Sequence, residues 1–137
     1  MKFIYILPVF ICILLYSCSK DNIPFDPENP FLGYWNYYSN QDSVSVYKRN
    51  TGFTESPGYK FNSDGTLIQR KNSGWCGTPP ISYFDYPGDW TVLNDTLIGI
   101  QVGYWGGIET YNMDIESVDS EFLRFLITPA NRYNPER

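Results

Sequence analysis

The sequence predicts an all-β domain, an eight-stranded up-and-down antiparallel β-barrel, and three observations predict it. From Phe31 to Thr128, aromatic and β-branched residues alternate with polar ones. Gly, Asn, Asp and Pro interrupt this texture about every eight to twelve residues, the spacing of short strands joined by tight turns. No stretch sustains a helical period over three turns.

The strands are placed in order. Residues 32–38 open the domain. Residues 43–49 alternate, with Val44 and Val46 on the face expected to point inward and Ser43 and Ser45 on the other. Residues 58–62 and 66–71 flank Ser63-Asp64-Gly65, a hairpin signal in which Gly65 supplies positive φ. After a Gly- and Pro-rich loop, 81–85 and 89–93 form two short strands around Pro87-Gly88. Asn94-Asp95 then turns the chain into 96–102, where Ile98, Ile100 and Val102 share a face. Residues 110–116 point Tyr111, Met113 and Ile115 inward. Residues 121–128 oppose Leu123, Phe125 and Ile127 to Phe122, Arg124 and Leu126, and Pro129 begins a tail over 129–137. Successive hairpins make a meander, and closing it removes the exposed edges a secreted sheet would present.

The N-terminus carries a different signal. Met1-Lys2 is a minimal positive start, and Phe3 to Leu15 is apolar but short of the roughly 20 residues that span a membrane. Leu15-Tyr16-Ser17-Cys18 closes it with a small residue before a cysteine. This pattern resembles a bacterial lipobox, with Tyr16 bulkier than usual. Residues 1–17 are therefore expected to be a signal peptide, with Cys18 the lipidated mature N-terminus. A transmembrane anchor, against which the short run and Pro8 argue, and an ordinary secretory signal are the other readings. Ser19-Lys20-Asp21-Asn22 is similar to export signals of some Gram-negative lipoproteins. It points to the outer membrane, with the surface face favoured over the periplasmic one. Pro24, Pro27 and Pro30 make 18–30 a semi-rigid tether.

Cleavage removes seventeen of the 137 residues and leaves 120, enough for one domain over 31–128. Losing Lys2 takes the formal net charge from −5 to −6. An acidic chain without clustered cations excludes nucleic acid as a partner. Cys12 leaves with the signal and Cys18 carries lipid, so Cys76 has no intramolecular disulfide partner.

Gly33-Tyr34-Trp35 matches the Gly-x-Trp signature of lipocalins. Phe61-Asn62-Ser63-Asp64-Gly65-Thr66, Trp90-Thr91-Val92 with Asp95-Thr96-Leu97, and Ser120-Glu121-Phe122-Leu123 resemble successive hairpins of small bacterial lipocalin-like lipoproteins. The resemblance implies a calycin-type barrel in which Trp35 plugs the closed end. It also implies an arginine of the last strand over that tryptophan, for which Arg124 is the candidate.

The absence of histidine removes Ser-His-Asp and Cys-His nucleophiles and the commonest zinc ligand. Cys76 lacks a local base or cation to activate it. The carboxylates Asp85 and Asp89, and Asp114, Glu116 and Asp119, read as solvated surface rather than a glycosidase pair. Asn62-x-Asp64-Gly65 lacks the distal glutamate of a calcium loop. No enzyme activity, cofactor or metal is expected.

The aromatic content of 18% exceeds what such a barrel needs inside. The expected ligand site has walls of Val44, Val46, Tyr59, Phe61, Ile98, Ile100, Tyr111, Met113, Leu123 and Phe125. Trp75 and Trp105 frame its mouth, from two Gly-rich loops. No wall residue is charged, so the ligand is expected to be small and apolar or amphipathic. A surface glycan- or protein-contacting lipoprotein and a purely structural envelope lipoprotein with a filled barrel are the competing functions. The lipobox reading makes a first prediction. Intact mass of the membrane-extracted protein shows lipid on Cys18, and Cys18→Ser blocks processing; a soluble, unlipidated mature form refutes it.

Overall fold

The computed structural model describes residues 28–73 and 79–132. Eight strands follow in order: β1 (Gly33–Gln41), β2 (Val44–Asn50), β3 (Gly58–Phe61), β4 (Thr66–Asn72), β5 (Tyr83–Val92), β6 (Leu97–Tyr104), β7 (Gly107–Val118) and β8 (Phe122–Pro129). A single 3-10 turn, Ala130–Arg132, ends them, and among the described residues there is no α-helix. Every pairing is antiparallel and the sheet closes on itself as a barrel. Cys18, the tether before Glu28, Trp75 and Cys76 lie outside the described residues.

Turn chemistry sets the hairpins. Asp42 turns β1 into β2 at φ 55°, and Gly65 turns β3 into β4 at φ 85°. Asp64 Oδ1 accepts the Thr66 N–H at 2.9 Å. Asn94 Oδ1 accepts the N–H groups of Thr96 (3.0 Å) and Leu97 (2.9 Å), and Asp119 Oδ1 those of Glu121 and Phe122, both at 2.7 Å. These backbone donors hold the Asp119 carboxyl below the usual carboxylate range.

One connection departs from a simple meander. β3 through β8 pair consecutively, but β3 also pairs with β1, and β2 closes the barrel against β8. The segment between β2 and β3 therefore crosses the outer face of β1. Asn36, 5% exposed, clamps it by donating to the Gly52 carbonyl (2.8 Å) and accepting the Thr54 N–H (3.1 Å). Phe53 meets the Tyr34 ring edge-on at 5.1 Å.

Two strand readings are corrected. The runs 81–85 and 89–93 fuse into the single strand β5. Pro87 does not break it, because the β5–β6 ladder begins only at Gly88 opposite Val102. A Cβ at Gly88 would lie 2.3 Å from the Gln101 carbonyl oxygen, so glycine is what allows the two strands to approach. In β2 the alternation is right and its phase reversed. Tyr47 points inward, 5.3 Å from the rings of both Tyr59 and Phe125, so Val44 and Val46 take the outward side. A tyrosine fills more of the interior than a valine and outcompetes it.

The interior is a column of rings. Phe31, Trp90, Phe61, Tyr59, Tyr47 and Phe125 follow one another at centroid separations of 5.3–6.5 Å. Trp35 seals the lower end, fully buried, its Nε1–H donating to the Phe31 carbonyl at 2.7 Å. The arginine over it is Arg49 of β2, with the guanidinium 4.1 Å from the indole centroid. Arg124 is corrected accordingly. It lies between Leu123 and Phe125, both fully buried, so the pleat points it outward, where it stands 5.1 Å from the Phe122 ring and 3.8 Å from Asp119.

Trp35→Ala is expected to cost about 3–5 kcal/mol, the range for deleting a buried large aromatic. In urea titrations Arg49→Met is expected to destabilise clearly more than Arg124→Met and to couple to Trp35→Ala in a double-mutant cycle. Additive effects would refute the stacked pair.

Candidate functional site

The barrel has two unlike ends. Chain entry, the β3–β4 turn and the β7–β8 turn gather at the lower end around Trp35. At the upper end the inward faces emerge into solvent, and the pleat identifies which side chains they carry. On β4 the face that buries Leu67 continues through Gln69 to Lys71, and on β7 the face that buries Met113 continues back through Tyr111 to Glu109. β5 adds Tyr86 opposite Gln69 and Phe84 opposite Lys71. Tyr104 ends β6, and Ile127 lies opposite Met113 on β8.

Exposure rises along each of these faces. Met113 is fully buried while Ile127, its inward partner, is 56% exposed; Tyr104 is 38% and Phe84 63% exposed. The upper end is open among the described residues.

The floor of this opening is a closed ring of hydrogen bonds. Gln69 Nε2 donates to Tyr59 Oη at 3.0 Å, and the Tyr59 and Tyr111 hydroxyls meet at 2.9 Å. Tyr111 donates to Gln69 Oε1 at 3.2 Å, which leaves Tyr59 as the donor to Tyr111. Each member gives one bond and accepts one, so the Tyr59 and Tyr111 hydroxyls are satisfied. Burial pushes the pKa values of Tyr59 and Tyr111 well up, and both are neutral at physiological pH.

Above the ring, Lys71 and Glu109 form an ion pair across the opening. Lys71 Nζ also lies 5.2 Å from the Tyr86 ring and 5.9 Å from the Tyr104 ring. This inward charge departs from the expectation of an uncharged wall. The period-two pattern Leu67, Gln69, Lys71 carries the signal for it. Glu109 was hidden because β7 begins at Gly107, three residues earlier than its apolar alternation suggests.

The structure places Phe61, Ile98, Ile100, Met113 and Phe125 in the packed core, each at most 2% exposed, where they fill the barrel against one another. Tyr111 sits above them in the hydroxyl ring. Trp105 stands at the rim on the β6–β7 turn, 67% exposed and edge-on to Tyr104 at 6.2 Å. Gly33 starts β1 at φ 107°, a conformation that L side chains rarely adopt. Elsewhere Asp85 is held by Arg70 through bonds of 2.6 and 2.9 Å. Among the described residues no three metal-ligating side chains converge.

Compared with family models, curated proteins and solved structures, the chain matches none significantly.

The buried tyrosines set a pH dependence. Unfolded tyrosine ionises near pH 10, and the folded values of Tyr59 and Tyr111 lie above it. Their contribution to stability is thus fully present below about pH 10 and is lost as pH rises toward the folded values. Denaturation midpoints measured from pH 8 to 11 are expected to stay level and then fall. Tyr111→Phe is expected to flatten the fall; an unchanged alkaline slope would contradict the assignment.

Proposed function

We propose that this protein is a lipid-anchored envelope lipoprotein whose lipocalin-like barrel binds a small amphipathic ligand at its open upper end. The observation that carries the reading is the inward-facing Lys71–Glu109 pair, half-buried above a packed and hydrogen-bonded floor. Placing charges on the inward face of a barrel costs solvation unless they meet a partner, and clefts that combine rings with a few convergent polar groups are where ligands bind. The polar group of the ligand pairs with Lys71 or Glu109. Its apolar part lies against Tyr86, Tyr104 and Ile127. The ligand is shallow, because the column of rings below leaves the lower half to side chains.

The anchor supports the same arrangement. The described chain enters the barrel at Pro30–Leu32, bound by Arg49 beside Trp35, so a lipid on Cys18 is attached through the end opposite the proposed ligand site. Gly33 and Trp35 support the lipocalin-like reading through their roles at β1, while the β1–β3 pairing departs from a simple meander. A second reading, contact with a surface glycan or protein, is favoured by the exposed rim of Phe84, Trp105 and Ile108.

A panel of fatty acids, other amphiphiles and apolar fluorophores, titrated while following tryptophan emission, tests the proposal. Saturable binding is expected, weakened about tenfold by Lys71→Met through loss of one charged contact. Trp105→Ala is expected to weaken it less. No binding by any probe refutes the small-ligand function.

A further inference from the structure

A second site lies on the outer wall, away from the open end. The outward face of β6 reads Leu97, Gly99, Gln101, Gly103, because Ile98, Ile100 and Val102 are all buried inward. Two glycines leave the sheet almost bare there, and the flanking strands rise on either side with Asp89 and Thr91 of β5 and Ile108, Thr110 and Asn112 of β7. The result is a trough. Its lower part, of about 410 Å³, is lined by Asp89, Thr91, Leu93, Gly99, Gln101, Thr110, Asn112 and Ala130. Its upper part, of about 310 Å³, runs over Gly103 to Ile108. Both parts share Asp89 and Gln101, so they are continuous.

Two independent features point to a ligand. Asn112 lines the trough at 2% exposure, and its buried side-chain nitrogen has no hydrogen-bond partner among the described residues. Buried amides in native folds are nearly always paired, so this one, in the wall of the trough, is a donor left without an acceptor among the described residues. The glycines are the other feature. A Cβ at Gly103 would meet nothing closer than 3.6 Å, whereas one at Gly99 would press on the Leu93 side chain at 3.3–3.6 Å. Gly103 is required neither by packing nor by a positive φ. In a strand interior such glycines mark the close approach of a ligand or another backbone.

We propose that this trough binds a linear, neutral oligosaccharide along β6. Its polar lining consists of Asp89, Thr91, Gln101, Thr110 and Asn112, of which two amides and two hydroxyls both donate and accept. Sugar hydroxyls do the same, and their C–H faces suit the bare glycine floor with Leu93, Ile108 and Ala130 at its sides. The one carboxylate, with no cation beside it in the lining, disfavours an anionic chain. A peptide strand is excluded by topology, because β6 is paired on both edges with β5 and β7 and offers no free ladder.

The test is an amide-resolved NMR titration of the mature chain with neutral gluco- and xylo-oligosaccharides of increasing length, with a polyuronate and an extended peptide as controls. Expected are shifts at Gly99, Gly103 and the side-chain NH₂ groups of Gln101 and Asn112, with affinity rising with chain length. Gln101→Ala is expected to weaken binding about tenfold, the loss of one well-made hydrogen bond. Gly103→Val, at a position where an added Cβ meets nothing closer than 3.6 Å, is expected to abolish it while leaving amphiphile binding at the open end intact. Absence of shifts with every neutral oligosaccharide overturns the proposal. So do shifts that survive Gly103→Val, or a response to the peptide or the polyuronate alone.

Discussion

Arg49 is the constraint on which the lower half of the molecule depends. Its guanidinium lies 4.1 Å from the Trp35 ring centroid and donates to three carbonyls from two separate parts of the chain: Leu32 and Pro30 at 2.5 Å each, and Ser120 at 3.0 Å. One planar fork thereby joins the entering chain, the β7–β8 turn and the tryptophan plug. A lysine, a point charge on a flexible stem, reproduces neither the stacking nor the three-way geometry. Burial lowers the Arg49 pKa from its ordinary value, the cost of drawing the cation against the core, and nearby Asp119 acts in the opposite direction. The carbonyl bonds and the ring face offset that cost.

With the floor fixed, the aromatic content of the chain finds its use. An eight-stranded barrel is just wide enough for side chains to fill, and here rings fill it. Flat side chains pack a narrow tube well and lose little conformational freedom, but tyrosine carries a hydroxyl into it. The Tyr59–Tyr111–Gln69 ring meets that demand and also marks where the dry interior ends. Below it are apolar contacts; above it are an ion pair and solvent. The same three residues that complete the core form the floor of the opening, so packing and the proposed function share side chains.

The strands were largely legible in the sequence because local alternation decides them. β6, β7 and β8 carry apolar residues at every second position, and their inward faces follow directly. What escaped depends on partners distant in sequence. Pairing of β1 with β3 rests on Asn36 holding a loop across its outer face, a single amide indistinguishable from any other polar strand residue. The phase of β2 turns on Tyr47 and Arg49, whose long side chains have apolar bodies and polar tips and satisfy either face. Arg124 is the instructive case. The alternation that buries Leu123 and Phe125 already forbids it the interior, so the pleat outweighs the resemblance that suggested it. At the open end, Lys71 and Glu109 are indistinguishable in sequence from surface charge, because a barrel mouth is where an inward face becomes wet.

Closure of the sheet explains why β6 tolerates glycines at all. In an open or edge strand, Gly99 and Gly103 would each weaken pairing by something on the order of 0.5–1 kcal/mol relative to alanine, with no side chain to recover it. In β6 both edges are paired, to β5 and β7, and the opposite face buries Ile98, Ile100 and Val102 almost completely. The strand is held from three sides, and on its fourth Leu93 packs over Gly99 while Gly103 is left clear. The outer face of β6 is thus a place where the barrel bears a loss of propensity without losing register. Asn112 sits beside that face with its amide unanswered from within the described fold. A strand secured by its neighbours and stripped on one face is the arrangement a wall needs if something is to lie along it.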